Sequence, residues 1–392
     1  MFENLLFQQH LTSTLIREVK DGTLPQSLLF YGDSFSGKLT AALELARVLN
    51  CEYGGEWGCQ CKSCTQNLSM QHPYVLLTGS RYFMQEINQS GDFLVNNRTK
   101  ASQYIYIRSV RKLIKRFSED LWDREDNKYK KCVTSLNKIE DVLYLLEPSQ
   151  ELPADKKTQS TIKKIATECG KLVNELPKGN IPINQIRKIS NWVRLSTSGS
   201  KKIIILENAE LMQDSSRNSL LKVLEEPPVD TYFILISGNK SSILPTILSR
   251  VRAYPFKQRD EKEQKLILEK IFKIQNSPKS IKEFFFSYSD YKDETFNIAV
   301  KDYLDGCISH NSTFSDTLNI KIDGEYFLRF LEVFTNELMA LFRSGDQVLK
   351  LNQLEIINQY IKDKIIKFTH FNQNPMLLLE TLFYEIKRHI YA

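Results

Sequence analysis

The fold is decided by Leu28-Leu29-Phe30-Tyr31-Gly32-Asp33-Ser34-Phe35-Ser36-Gly37-Lys38-Leu39-Thr40 and the helix that follows it. Leu28 to Tyr31 form a nearly continuous apolar run, which reads as a strand covered on both faces. A glycine-flanked turn then ends in Lys38, and Ala42, Leu45, Ala46 and Leu49 fall on one face of a helix. This order is the setting in which backbone N–H groups and a helix N-terminus cradle phosphates, with Gly32, Gly37, Lys38 and Thr40 as candidate contacts. The position after Lys38 calls for a Ser or Thr hydroxyl on Mg²⁺, and here it holds Leu39. Thr40 lies one residue on, turned by about 100° around the helix, and is a poor substitute.

Runs of the same character recur at Tyr74–Leu77, Ile203–Leu206, Tyr232–Ile236 and Val251–Tyr254, so an α/β domain with a parallel sheet is expected over residues 1–256. The third run leads into Glu207-Asn208, where an ATPase places one carboxylate on the metal and a second against the attacking water. Glu207 can still offer an oxygen to a metal, but Asn208 is an amide and takes no proton. The expectation is an inherited nucleotide site without turnover; whether it binds ATP or ADP stays open.

Residues 80–201 separate the second and third runs, far more chain than an ordinary loop, so they hold structure of their own. Tyr104 to Leu146 reads as mainly helical, with breaks at Pro148–Lys157 and Pro177–Asn180. Asn97 to Lys178 contains 18 basic and 12 acidic residues and so carries the whole +6 charge of the chain. The stretch reads as a solvated helical surface, with contact to nucleic acid as the alternative.

With 392 residues, 42% hydrophobic and 26% charged, the chain has the make-up of a soluble globular protein of two to three domains. This excludes a wholly disordered, fibrous or membrane-embedded protein. Met1–Phe7 lacks the basic start and apolar core of a signal peptide, and no 18 apolar residues run together, so a cytoplasmic location with no membrane contact is expected.

Four of the seven cysteines, Cys51, Cys59, Cys61 and Cys64, read C-x7-C-x-C-x2-C. Four thiolates complete a tetrahedral set with no open position, which points to structural zinc; a redox pair or free thiols are the alternatives. Cys132, Cys169 and Cys307 read as small buried apolar residues. After Phe256 strand signals stop. Phe327, Leu331, Phe334, Leu338 and Leu341 make one helical stripe, and a last helix starting near Asn374-Pro375 carries Leu379, Leu382, Phe383 and Ile386 on one side.

Together with Asn218-Ser219-Leu220-Leu221-Lys222-Val223-Leu224-Glu225-Glu226-Pro227-Pro228 and Leu244-Pro245-Thr246-Ile247-Leu248-Ser249-Arg250, these residues resemble the bacterial DNA polymerase III clamp loader, an AAA+ family. Phe7-Gln8-Gln9-His10 and the cysteine knuckle after the phosphate-loop helix fit it too. The resemblance covers 1–79 and 181–256 closely. It implies a RecA-like sheet with helices on both faces and a zinc knuckle at 51–64, a helical lid at 257–318 and an all-α collar, or oligomerisation, domain at 319–392.

Leu39 and Asn208 depart from the gamma and tau motor subunits and favour the delta-prime type, which implies a stator without ATPase activity of its own. Ser249-Arg250-Val251 stands where the family has Ser-Arg-Cys. The resemblance implies that Arg250 acts in trans, as a finger in a neighbouring subunit's ATP site. The implied partners are gamma/tau and delta subunits, the sliding clamp and primed DNA. The rival expectations are an ATP-hydrolysing gamma/tau-type motor and a nucleic-acid-binding factor acting through the basic segment.

Overall fold

All five apolar runs form strands; the first four bury both faces of the pleat, whereas the run at Val251–Tyr254 lies at the sheet edge and buries only Tyr254. The computed structural model describes the chain apart from residues 178–180, 198, 274–279, 287–292, 321, 323, 344–349, 372 and 392. In chain order it begins α1 (Gln9–Lys20), β1 (Ser27–Tyr31), α2 (Lys38–Leu49), α3 (Lys62–Leu68) and β2 (Val75–Thr78). The long segment supplies α4 (Phe83–Asn97), α5 (Lys100–Ile114), α6 (Asn127–Leu143), α7 (Asp155–Glu175) and α8 (Ile183–Trp192). Then come β3 (Lys202–Leu206), α9 (Asp214–Glu225), β4 (Thr231–Ser237), α10 (Pro245–Leu248), β5 (Arg252–Pro255), α11 (Glu261–Phe272) and α12 (Ile281–Phe286).

These elements make one compact unit, Met1–Phe286, and Ser287–Ala392 make a second. The division falls inside the 257–318 stretch expected as a lid. The second unit holds α13 (Asp293–Ile308), α14 (Phe314–Thr317), α15 (Gly324–Arg343), α16 (Leu351–Phe371) and α17 (Pro375–Tyr391). Phe327, Leu331, Phe334 and Leu338 are buried in its core together with Leu379, Leu382, Phe383, Ile386 and Cys307, while Leu341 packs against it half-buried.

The sheet is wholly parallel in the order β2-β3-β4-β1-β5. Alternate residues go to opposite faces, as the two-residue strand period requires. Leu28, Phe30, Ile203, Ile205, Ile234 and Ile236 join α1 and α2, whereas Leu29, Leu76, Ile204, Leu206, Phe233 and Leu235 join the cluster of α4–α9. The long segment is therefore not an appendage; it supplies much of the cover on one face.

Two expectations about that segment are corrected. The break at 148–157 is shorter, since α7 starts at Asp155, whose carboxylate sits in the first turn and pairs with Arg98 at 2.5 Å. The break at Pro177–Asn180 falls largely on 178–180, outside the described residues. Nor is the basic surplus wholly a solvated surface. Arg108, Arg111, Lys112, Lys115 and Arg116 point inward: Arg108 donates to Leu68 O at 2.9 Å, Arg111 to Ser69 O at 3.1 Å, and Lys115 to His72 O and Val75 O at 2.7 and 2.9 Å. These cations bond carbonyls of the chain leading into and through β2, most of them partly buried.

Gly79 ends this path with a φ of +101°, and a Cβ placed there would lie 2.1 Å from Glu207 O. Gly79→Ala is expected to destabilise the first unit by more than about 2 kcal/mol, through both the backbone conformation and the clash. Trp57, Trp122 and Trp192 all lie in that unit, so tryptophan fluorescence during urea unfolding reads it directly; an unshifted midpoint would contradict this account.

Candidate functional site

The loop after β1 folds as its glycines permit. Gly37 caps α2 at φ 99°, and Lys38 begins the helix. Lys38 Nζ turns back onto the loop, donating to Gly32 O, to Asp33 O at 2.6 Å and to Ser36 Oγ at 3.4 Å. Burial pulls its ammonium down to about 8, against the opposing pull of Glu210, Asp33 and Glu207. Leu39 is buried in the apolar cluster with α1 and the sheet, so the position that would ligate Mg²⁺ is a core position. Thr40 lies in the same first turn of α2, half-buried. Gln8 fastens the loop from one side, donating to Ser36 O at 3.2 Å and Lys257 O at 2.7 Å. Arg259 fastens it from another, donating to Phe35 O at 2.7 Å and Leu6 O at 2.9 Å.

Glu207 ends β3 where the sequence places it, but both of its oxygens are taken. Oε1 accepts from Arg81 Nη1 at 2.8 Å and Oε2 accepts from Arg116 Nη2. The Glu207 side chain is 7% exposed and that of Arg116 is 2% exposed. Arg81 Nε also donates to Glu86 Oε2 at 2.7 Å, and Lys112 pairs with the other Glu86 oxygen. Against the burial that would raise it, Arg81 and Lys112 hold the Glu86 carboxyl down to about 2. Asn208 adopts a left-handed conformation, φ 52°, and its amide donates to Ser80 O and Ser80 Oγ at 3.0 and 3.1 Å. It anchors the entry to the long segment.

Arg81 and Arg116 are the residues that sequence reasoning missed. A signal was present. Arg108, Arg111, Lys112, Lys115 and Arg116 are spaced 3, 1, 3 and 1, a single helical face, and a one-sided basic stripe can face an acid as readily as water.

Cys51, Cys59, Cys61 and Cys64 converge with all four sulfurs within 4.8 Å of one another, and those of Cys51 and Cys59 are 3.7 Å apart. A tetrahedral ion with bonds of about 2.3 Å needs sulfur separations of about 3.8 Å, so the set fits a metal ion with small adjustments. Outer contacts suit thiolates as well: Arg47 Nη1 donates to Cys64 Sγ at 3.1 Å and the Tyr53 amide to Cys51 Sγ at 3.4 Å. Arg47 is itself held by buried Glu44 at 2.8 Å.

Arg250 lies between α10 and β5, away from these groups in sequence. Its Nε donates to Glu225 Oε1 at 2.9 Å, and Nη1 donates to Thr246 O at 2.7 Å. Glu225 and Glu226 are exposed at the end of α9. A partly exposed pair of this kind contributes about 0–1 kcal/mol.

A parallel sheet of this order, with a phosphate-type loop after β1 and an acid at the end of β3, defines an AAA+ α/β protein. Residues 7–133 and 111–260 match the family described as DNA polymerase III, delta subunit, and the chain belongs to that family. Among curated relatives, the delta' subunit of DNA polymerase III from Pseudomonas aeruginosa is 44% identical over 71 residues, 18% of this chain and 22% of that protein. The delta' subunit of Buchnera aphidicola subsp. Schizaphis graminum is 28% identical over 204 residues, 46% of this chain and 58% of its own. An uncharacterized protein of Mycoplasma pneumoniae, the MG007 homolog, is 35% identical over 101 residues, 25% of this chain and 35% of that one. In each of these matches the chain spans less than two thirds of the relative's length. A solved gamma subunit-related protein of Thermotoga maritima superimposes with a TM-score of 0.33 at 18% identity, over 58% of this chain and 90% of that one, too loosely to add to the family match.

Glu86 stays ionised in the fold to about pH 2, whereas an unfolded glutamate takes its proton near about 4.3. Between those values the unfolded chain binds more protons, so stability falls as pH drops from about 5 towards 2. Glu86→Gln should flatten this acid limb, measured as the midpoint of thermal unfolding against pH. An unchanged slope would show that Glu86 is not the group responsible.

Proposed function

We propose that this chain is a delta-prime-like stator of the replicative clamp loader, which helps load the sliding clamp onto primed DNA and does not hydrolyse ATP. The observation that carries the reading is Glu207 held by Arg81 and Arg116: a buried carboxylate whose charge is already met by two guanidinium groups is a poor site for Mg²⁺. Leu39 in the core and Asn208 on Ser80 support it independently. Gly32, Gly37, Lys38, Thr40 and Glu207 then form a degenerate nucleotide site rather than a working one. The ATP-hydrolysing motor reading has no equipped metal position.

The nucleic-acid reading loses support because five cations of the basic segment are spent on internal carbonyls and carboxylates. No described helix is long and apolar enough to cross a membrane. The loader reading carries with it the division at 257–318 and 319–392 into lid and collar, with gamma/tau and delta subunits as neighbours.

In this reading Arg250 leaves Glu225 to neutralise the phosphoryl group in a neighbour's site, an effect worth about 10³–10⁵ in rate in other NTPases. Arg250→Ala should leave the chain folded and the loader assembled, yet slow steady-state ATP hydrolysis by the reconstituted loader with clamp and primed DNA. Because one of several ATP sites loses its finger, the loss is partial, and Arg250→Lys should not restore it, since an ammonium lacks the planar fork. An unchanged rate in an intact complex would make the Arg250–Glu225 pair merely structural.

Zinc is the metal proposed for the four cysteines, closing the knuckle as a purely structural ion. Elemental analysis of protein purified without chelators should find one zinc per chain, lost in Cys61→Ser with the rest of the first unit still folded. Folded, metal-free protein would refute the assignment.

A further inference from the structure

In nucleotide-switched proteins of this general kind, bound phosphates and their metal tie the loop after β1, the acid after β3 and a movable element into one arrangement. Here two adjacent residues of the long segment make those ties. Arg81 holds Glu207 at 2.8 Å. Tyr82, whose ring lies 4.6 Å from the Arg81 guanidinium, packs against Phe35 of the loop with ring centroids 5.1 Å apart and against Phe285 of α12 at 5.8 Å. Phe35 and Phe285 stack on each other at 5.9 Å with their planes 11° apart, closing a triangle of one ring each from loop, segment and α12.

Phe35 has a φ of 60°, so the loop backbone adopts an uncommon conformation to present this ring. The segment grips the same helices a second time: Phe93 of α4 meets Phe272 of α11 edge-on at 5.4 Å, and Gln89 Nε2 donates to Phe284 O at 2.7 Å. All these residues lie in the first compact unit.

We propose that Arg81-Tyr82 is a built-in wedge that takes over the tying role of nucleotide. It holds the loop, the end of β3 and helices α11–α12 in one arrangement whether or not ATP is present. Arg81 neutralises the acid that a metal would have met, and Tyr82 joins loop to helix where bound phosphates would otherwise have transmitted their state. The inference rests on the reading of this chain as a stator and supplies the origin of its rigidity.

The test is hydrogen exchange by mass spectrometry on the isolated full chain, which is independent of the loader assays that test the stator reading itself. In the natural protein, saturating Mg–ATP should leave exchange in 281–286 unchanged. Tyr82→Ala, which removes two ring contacts, should speed exchange in both stretches together by roughly tenfold. Should Tyr82→Ala fail to fold, Phe35→Ala and Phe285→Ala approach the triangle from its other corners: the first should loosen 281–286 and the second 33–40. Tyr82→Phe, which keeps the ring, should leave both stretches protected. Protection of 281–286 by Mg–ATP in the natural protein would overturn the proposal, as would ring removals whose effects stay within the substituted element.

Discussion

A glutamate with almost no access to water, gripped by two guanidinium groups, is the interaction on which the rest of the first unit turns. Removing charges from water costs several kcal/mol per ion, and the cost is recovered only where geometry and hydrogen bonds are good. Glu207 meets that condition only with Arg81 and Arg116 both present, and each arginine reaches it from a different helix-flanked stretch of the long segment. Losing one of them would leave a buried carboxylate half compensated, a change worth about 3–5 kcal/mol. The chain between β2 and β3 brings both arginines to the end of the sheet, and its helices join α9 in the apolar cluster on one face.

The same constraint separates phosphate-loop geometry from phosphate-loop chemistry. Gly32 and Gly37 keep the turn, and Lys38 keeps its place at the start of α2, yet Lys38 bonds the loop's own carbonyls and Leu39 is part of the core. What remains is a well-ordered corner between strand and helix, fastened by Gln8, Arg259 and the Phe35 ring. The segment between the second and third strands packs as part of this same domain, and the family match runs through it.

The cysteine knuckle and Arg250 behave differently, because each depends on few neighbours. The knuckle is local: four ligands within fourteen residues, oriented by backbone amides and by Arg47 reaching across from α2. Arg250 lies at the surface in an ion pair with the exposed carboxylate of Glu225.

The sequence by itself determined the five strands, the loop and helix after β1, the convergence of four cysteines and the two apolar stripes of the second unit. Those signals are periodic or local, and short-range sterics together with apolar burial suffice to write them. Leu39 and Asn208 were legible for the same reason, as single residues in a known frame. Only the tertiary structure decided where the basic surplus goes. A cation at position 116 is the same letter whether it faces water or a carboxylate 91 residues along the chain, and no local pattern encodes that choice. The pairing of Arg81 and Arg116 with Glu207, and the meeting of Phe35, Tyr82 and Phe285, bring together groups far apart in sequence. Such contacts are specified by packing the whole domain at once, because a buried charge or ring has a favourable place only after every neighbouring element has taken its own.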